Sequence, residues 1–191
     1  MKKLLLFLPL LLLLACGEET LVPKPPTHLT IDLPNHAYKK FLDSMHYSFD
    51  ISKLWTLRAN LQEKDSLILY LGKEIDGDLH FQYARIDTAN PLSSHINKTF
   101  AKIDFHKVRA KQLKDTTFIF REKKVYGGFY EFIGNSATNF QFYLTDSTDN
   151  FVRTELLIRR KPNYDSLQPT LNYIKADLIH LINTFKWEKK N

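Results

Sequence analysis

Cys16 is the only cysteine in the 191-residue chain, and its thiol is the strongest nucleophile the sequence offers. It directly follows the apolar run from Leu4 to Ala15, which Lys2 and Lys3 precede. A basic start, a greasy stretch and a small residue at its end are the parts of a cleavable export signal. The run is shorter than the roughly 20 apolar residues a bilayer span requires. A lone thiol just past such a signal is placed to carry a covalent lipid. With no second cysteine there is no intramolecular disulfide, so packing must stabilise the fold, and 14 Phe, 9 Tyr and 2 Trp supply large side chains for it.

Other polar groups point to weaker chemistry. The densest cluster is Asp146, Ser147, Thr148, Asp149 and Asn150. It lacks the alternating acids and central glycine of a calcium loop and reads as a hairpin turn, with partner contact as its functional alternative. The seven histidines, His28, His36, His46, His80, His95, His106 and His180, have no zinc-ligand spacing with one another or with acids. No nucleophile elbow, phosphate loop or dinucleotide fingerprint occurs, and Ser147, His106 and an Asp would have to meet in space to form a triad. Tyr126, Gly127 and Gly128 suggest a bulge, a close backbone approach or a simple kink in a strand. The basic runs, Lys123-Lys124 and Arg159 to Lys161, are short and read as solvated strand ends. No metal and no cofactor is expected, and no nucleic-acid partner.

The segment Leu13-Leu14-Ala15-Cys16 resembles the lipobox of bacterial lipoproteins. That resemblance implies cleavage before Cys16, a diacylglycerol on its sulfur and an acylated amino group, which together anchor a protein stably. The expected organisation is a signal peptide at 1–15, a lipidated cysteine with a proline-rich tether at 16–27, and one domain at 28–191. The mature chain would have 176 residues and a net charge of about +4 once Lys2 and Lys3 are removed. Pro23, Pro25 and Pro26 favour extended polyproline II, so residues 17–27 would reach roughly 34 Å at about 3.1 Å each. Glu18 and Glu19 resemble, weakly, a surface-export signal of Bacteroidetes lipoproteins; the plainer reading is a hydrated linker.

Stepping outward to the elements, short strands are expected at His28–Leu33 and Tyr47–Ile51, with an irregular stretch around Tyr38 and Phe41. Trp55, Leu57, Ala59 and Leu61 alternate with polar residues as a half-buried strand does. Ser66–Leu71, a turn at Gly77, and alternating Leu79, Phe81 and Tyr83 continue an antiparallel meander. Leu92, Ile96, Phe100 and Ile103 line one helical face, capped by Ser93 or Asn90, with Lys111 and Lys114 near its end. Strands follow from Phe118 towards Phe132, at Phe140–Thr145 and at Phe151–Arg160. A long helix closes the chain, capped by Asp165 or Ser166 with Pro169 in its first turn. Leu167, Leu171, Ile174, Leu178, Leu181, Ile182 and Phe185 form its apolar stripe, and Trp187 ends it. The fold class is α+β: a single domain, mainly antiparallel sheet, with a central helix and a long C-terminal helix packed on it. This layout resembles PsbP-like and DcrB-like domains.

Several motifs resemble the GldD family of gliding motility lipoproteins from Bacteroidetes. They are Val125-Tyr126-Gly127, Gly134-Asn135, and above all 141–148 (QFYLTDST), then Arg153, 162–166 (PNYDS), Pro169, 177–182 (DLIHLI) and 184–187 (TFKW). Upstream, 106–110 (HKVRA), Pro23-Lys24-Pro25, Tyr38 and Phe41 fit as well. The chain departs from the family between Leu67 and Asp87, with Gly72 and Gly77, and at 136–139. The resemblance implies a protein that is not an enzyme and that supports assembly or stability of the gliding and type IX secretion machinery. Its partners would be the membrane, through the anchor, and other envelope proteins of that machinery. The implied location is the cell envelope, lipid-anchored to the outer membrane and facing the periplasm ahead of the inner membrane or cell surface. Possible partner contacts are Asp146, Ser147, Thr148 and Asp149. The competing reading is an envelope lipoprotein holding a small ligand or lipid in a pocket beside the sheet, with the aromatic side chains as lining; a hydrolase is a distant third.

Overall fold

The computed structural model describes residues 32–42, 46–58, 65–159 and 163–188. The signal, Cys16, the tether, His28 and Leu61 lie outside the described residues. Two antiparallel sheets form. One has three strands in the order β1-β2-β10, namely β1 (Tyr38–Leu42), β2 (Tyr47–Ser52) and β10 (Lys186–Trp187). The other has seven strands in the order β3-β4-β5-β9-β8-β7-β6. These are β3 (Thr56–Arg58), β4 (Ser66–Tyr70), β5 (Gly77–Arg85), β6 (Gln112–Phe120), β7 (Val125–Ile133), β8 (Phe140–Thr145) and β9 (Asn150–Ile158). Helix α1 (Leu92–Lys107) joins β5 to β6, and α2 (Tyr164–Thr184) follows β9.

Alternation along the strands gives the large sheet two faces. Leu79, Phe81, Phe129, Phe140, Phe142, Leu144, Val152 and Leu156 point one way and join the main core with Tyr47, Phe49 and Ile51 of β2. The apolar stripe of α2 packs against β2, and all seven of its expected residues, Leu167 through Phe185, are buried. Phe49 stacks on Phe81 at 5.3 Å and on Phe185 at 5.9 Å, which joins both sheets to the helix end. On the opposite face, Tyr130, Phe132 and Tyr143 pack with Ile103 of α1 in a smaller cluster. The mixed α+β class, the antiparallel pairing, the central helix and the long closing helix are as expected.

The differences have local causes. The irregular stretch around Tyr38 and Phe41 is strand β1, an edge strand whose exposed Lys39 and Lys40 hide the alternation, while Leu33 lies outside any strand. Trp55 is fully buried but Leu57 is 59% exposed, because Trp55 precedes β3 rather than sharing its pleat. The turn expected at Gly77 spans 73–76, with Asp76 at φ 51, and Gly77 begins β5. Lys111 and Lys114 belong to the approach and body of β6, not to a helix. The single strand expected from Phe118 towards Phe132 is a hairpin, folded at a 3-10 turn over Arg121–Lys123 with Lys124 left-handed at φ 51. Pro91 precedes α1 with no side-chain cap, and Phe100 is 42% exposed. Asn163, rather than Asp165 or Ser166, caps α2 by accepting from the Ser166 amide.

Candidate functional site

A cleft of ≈ 890 Å³ opens at one end of the molecule, where β5 finishes and β8 turns into β9. Tyr83 and Arg85 come from the end of β5, Glu122 to Lys124 from the β6–β7 turn, and Asp146, Asp149 and Asn150 from the β8–β9 turn. Trp187 and Glu188 after α2, His46 before β2 and Asp65 before β4 complete it. Five separate segments therefore converge because the strand ends and the end of α2 lie together.

The polar groups are ordered by one another. Asp146 Oδ1 accepts from the amides of Thr148, Asp149 and Asn150, each at 2.9 Å. Its Oδ2 accepts from the side-chain amide of Asn150 at 2.5 Å. Asn150 in turn accepts from the Tyr83 hydroxyl at 2.7 Å. Thr145 Oγ1 donates to the Asn150 carbonyl at 2.7 Å and accepts from the Ser147 amide at 2.9 Å. Ser147 sits at φ 70, a left-handed position that the surrounding bonds impose. His46 stacks on Tyr83 with centroids 3.9 Å apart, and Trp187 Nε1 donates to the Lys124 carbonyl at 3.0 Å.

These contacts set the charges. Burial pushes the Asp146 carboxyl up, but the bonds from Asn150, Thr148 and Asp149 outweigh it and hold the group below its ordinary value. Burial pushes the Tyr83 phenol up, with Arg85 opposing. Asp146 is thus a fixed anion committed to its own turn. Ser147, Thr148 and Asp149 are exposed on the rim. The cleft carries both signs, with Arg85, Lys123 and Lys124 facing five carboxylates. Lys123 Nζ is already engaged by the Asn183 carbonyl, and Glu188 accepts from Ser48.

Other chemistry-bearing residues lie elsewhere. His106 bonds Glu155 at 3.0 Å beneath α1, where Lys102 and Gln141 also reach Glu155. Gln141 and Thr145 stand at opposite ends of β8, about 14 Å apart at strand rise, so His106 and Ser147 are not brought together. His36 bonds the buried Asp177 at 2.7 Å, and His180 stacks on Tyr38 at 3.6 Å. Among the described residues no group of three or more His, Cys, Asp or Glu is placed to hold a metal ion. Gly127 and Gly128 stay in unbroken register with both neighbours, so there is no bulge. A Cβ on Gly127 would stand 2.0 Å from the Tyr143 carbonyl, which makes close backbone approach the reason for the glycine. Sequence reading found the Asp146–Asp149 rim but missed Tyr83, Arg85, His46 and Trp187 as its companions, because nothing local links such distant positions.

Comparison with known proteins adds three findings. A family model described as "Gliding motility lipoprotein GldD" matches residues 18–187. No curated protein matches the chain. Among solved structures, cyanobacterial PsbP (CyanoP) from Synechocystis sp. PCC 6803 superposes with a TM-score of 0.51 at 9% identity, covering 86% of this chain and 100% of that one. At that identity the likeness establishes a shared fold.

Proposed function

The chain belongs to the gliding motility lipoprotein GldD family, and from that premise we propose that it acts by binding, as a lipid-anchored envelope component that supports assembly or stability of the gliding and type IX secretion machinery. The observation that carries this reading is the cleft, whose rim at Ser147, Thr148 and Asp149 is exposed while Asp146 beneath it locks the turn. A polar loop held stiff on a sheet is a good recognition surface, since little ordering entropy is lost on contact. Asp146 is poorly suited to acid–base work, because its lone pairs are taken and its carboxyl is held ionised. The open, mixed-charge lining favours a protein surface over a lipid or small apolar ligand. Beside the sheet, Phe49, Phe81, Phe142 and Phe185 fill the interior, each 1% exposed or less. The anchor at Cys16 and the outer-membrane, periplasm-facing location are part of the same proposal.

The test is a pair of rim substitutions, Thr148→Arg with Asp149→Arg, which keep both backbone amides for Asp146. Colony spreading and secretion are measured in cells, with protein abundance and thermal stability alongside. Lost spreading at native stability and abundance is the expected result. Full motility would remove this rim from the interface.

A further inference from the structure

The end of the molecule opposite the cleft carries exposed apolar side chains in a basic setting. Phe105 is 75% exposed and Val108 is 83% exposed, on the last turn of α1 and just beyond it. Around them, residues 98–111 hold Lys98, Lys102, Lys107, Arg109 and Lys111 against the single acid Asp104. Phe105, Val108 and Arg109 border a notch of ≈ 300 Å³ whose far wall is Ser136 and Ala137, in the loop between β7 and β8. Lys102 is partly occupied by Glu155; the basic residues nearest the apolar pair are Lys107, Arg109 and Lys111.

The path of the chain fixes where this end lies. Ser136 Oγ donates to the His106 carbonyl, and Asn135 accepts from the Tyr164 amide, so the notch adjoins the start of α2. The N-terminal segment runs beside the same helix: Tyr173 donates to the Pro34 carbonyl, His36 bonds Asp177, and Tyr38 stacks on His180. Followed back from Tyr38 to Pro34, it heads towards the beginning of α2, hence towards the notch. The cleft lies at the other end of α2, where Asn183 meets Lys123 and Trp187 meets Lys124.

We propose that Phe105 and Val108, ringed by Lys107, Arg109 and Lys111, form a docking surface that rests on anionic phospholipid headgroups and turns the cleft away from the membrane. Aromatic and aliphatic tips insert at the headgroup level, and neighbouring cations are drawn to a negative surface. The choice of a lipid surface over an acidic protein rests on charge complementarity together with the direction in which the N-terminal segment approaches. The orientation rests on the proposed anchor at Cys16; the docking is tested separately from it.

The experiment uses the purified full chain carrying Val108→Cys, labelled with an environment-sensitive dye and reconstituted into vesicles containing spin-labelled lipid. Intact mass reports whether Cys16 is acylated. Vesicles of phosphatidylcholine with phosphatidylglycerol are compared with phosphatidylcholine alone, and Ile119→Cys, on the exposed part of β6, serves as the reference. The expected result is a blue-shifted, quenched label at position 108 only with phosphatidylglycerol, and an unquenched label at 119. Arg109→Glu and Lys111→Glu should each lower the docked-to-undocked ratio by at least about fivefold, the equivalent of one cation at a charged membrane surface. An acylated protein whose label at 108 stays unquenched overturns the docking and leaves the anchor standing. A protein without acyl groups overturns the anchor, and quenching at 108 by added vesicles then still scores the docking. A shift without vesicles, growing with protein concentration or appearing only with envelope proteins, makes the patch a protein interface and overturns the proposal.

Discussion

Asp146 and Asp149 are three positions apart in one turn, yet their carboxylates do different things. Asp146 accepts four hydrogen bonds within its own turn, whereas Asp149 is an exposed rim residue that accepts from Thr148 Oγ1. Asp146→Ala should therefore destabilise the domain by about 1–2 kcal/mol, comparable to losing a helix cap with its charge-assisted bonds. Asp149→Ala should change stability by under about 0.5 kcal/mol. Denaturant melts of the two variants measure the contrast, and equal effects would contradict it. Because the folded-state value of Asp146 is depressed, its contribution is full above the ordinary carboxylate range and is lost as pH falls through the depressed value. The Asp146→Ala protein should accordingly lose less stability than the native chain on acidification. Asp146 and Asp149 look alike in the sequence; which of them turns inward depends on the amides that the two strand ends bring within reach.

At the scale of elements, α2 was the most legible. Its stripe of Leu and Ile at helical spacing is long enough to be unambiguous, and its seven expected residues are buried. Leu178→Ala or Phe185→Ala should cost about 2–5 kcal/mol, the range for emptying a packed core site. A melt within about 0.5 kcal/mol of the native one would place that face in water. Strands with a buried face, such as β5, β8 and β9, were also readable. Edge strands were not: β1 and most of β6 are exposed, so no apolar alternation marks them, and backbone pairing alone holds them in the sheets. The helix α1 lies between these cases, its Ile103 packing with Tyr130 on the second sheet face. Burial there, then neighbouring Tyr143 and Asp115, pushes the Tyr130 phenol up to about 12 from 10.0. A raised folded-state value means that the neutral phenol is favoured in the fold. Its contribution is intact below about pH 10 and is lost as pH rises towards about 12. Tyr130→Phe, which cannot ionise, should flatten that part of the alkaline unfolding profile, read by urea melts at stepped pH. An unchanged slope would mean that Tyr130 meets solvent in the folded state.

For the whole molecule, the two ends of α2 divide the labour: the N-terminal segment approaches near one end, and the cleft opens at the other. The cleft was only partly visible in the sequence, because its walls come from five segments whose convergence is a product of strand order. The proposed anchor, by contrast, is purely local information, a cysteine behind an apolar run. It also makes the sharpest prediction about the molecule as a unit. No described helix is long and apolar enough to cross a membrane. If acylation at Cys16 supplies the attachment, Cys16→Ser should abolish incorporation of labelled fatty acid and leave an uncut precursor or a mislocalised protein. Folding should survive, since Cys16 lies outside every element of both sheets and both helices. Protease resistance of the described domain therefore separates loss of attachment from loss of structure. A variant that still takes up labelled fatty acid, or sediments with membranes as a processed protein, would remove Cys16 as the anchor. A variant that is folded, unlabelled and unable to restore spreading would tie the function of the cleft to a fixed place at the membrane, because its surface chemistry is unaltered and only its position has changed.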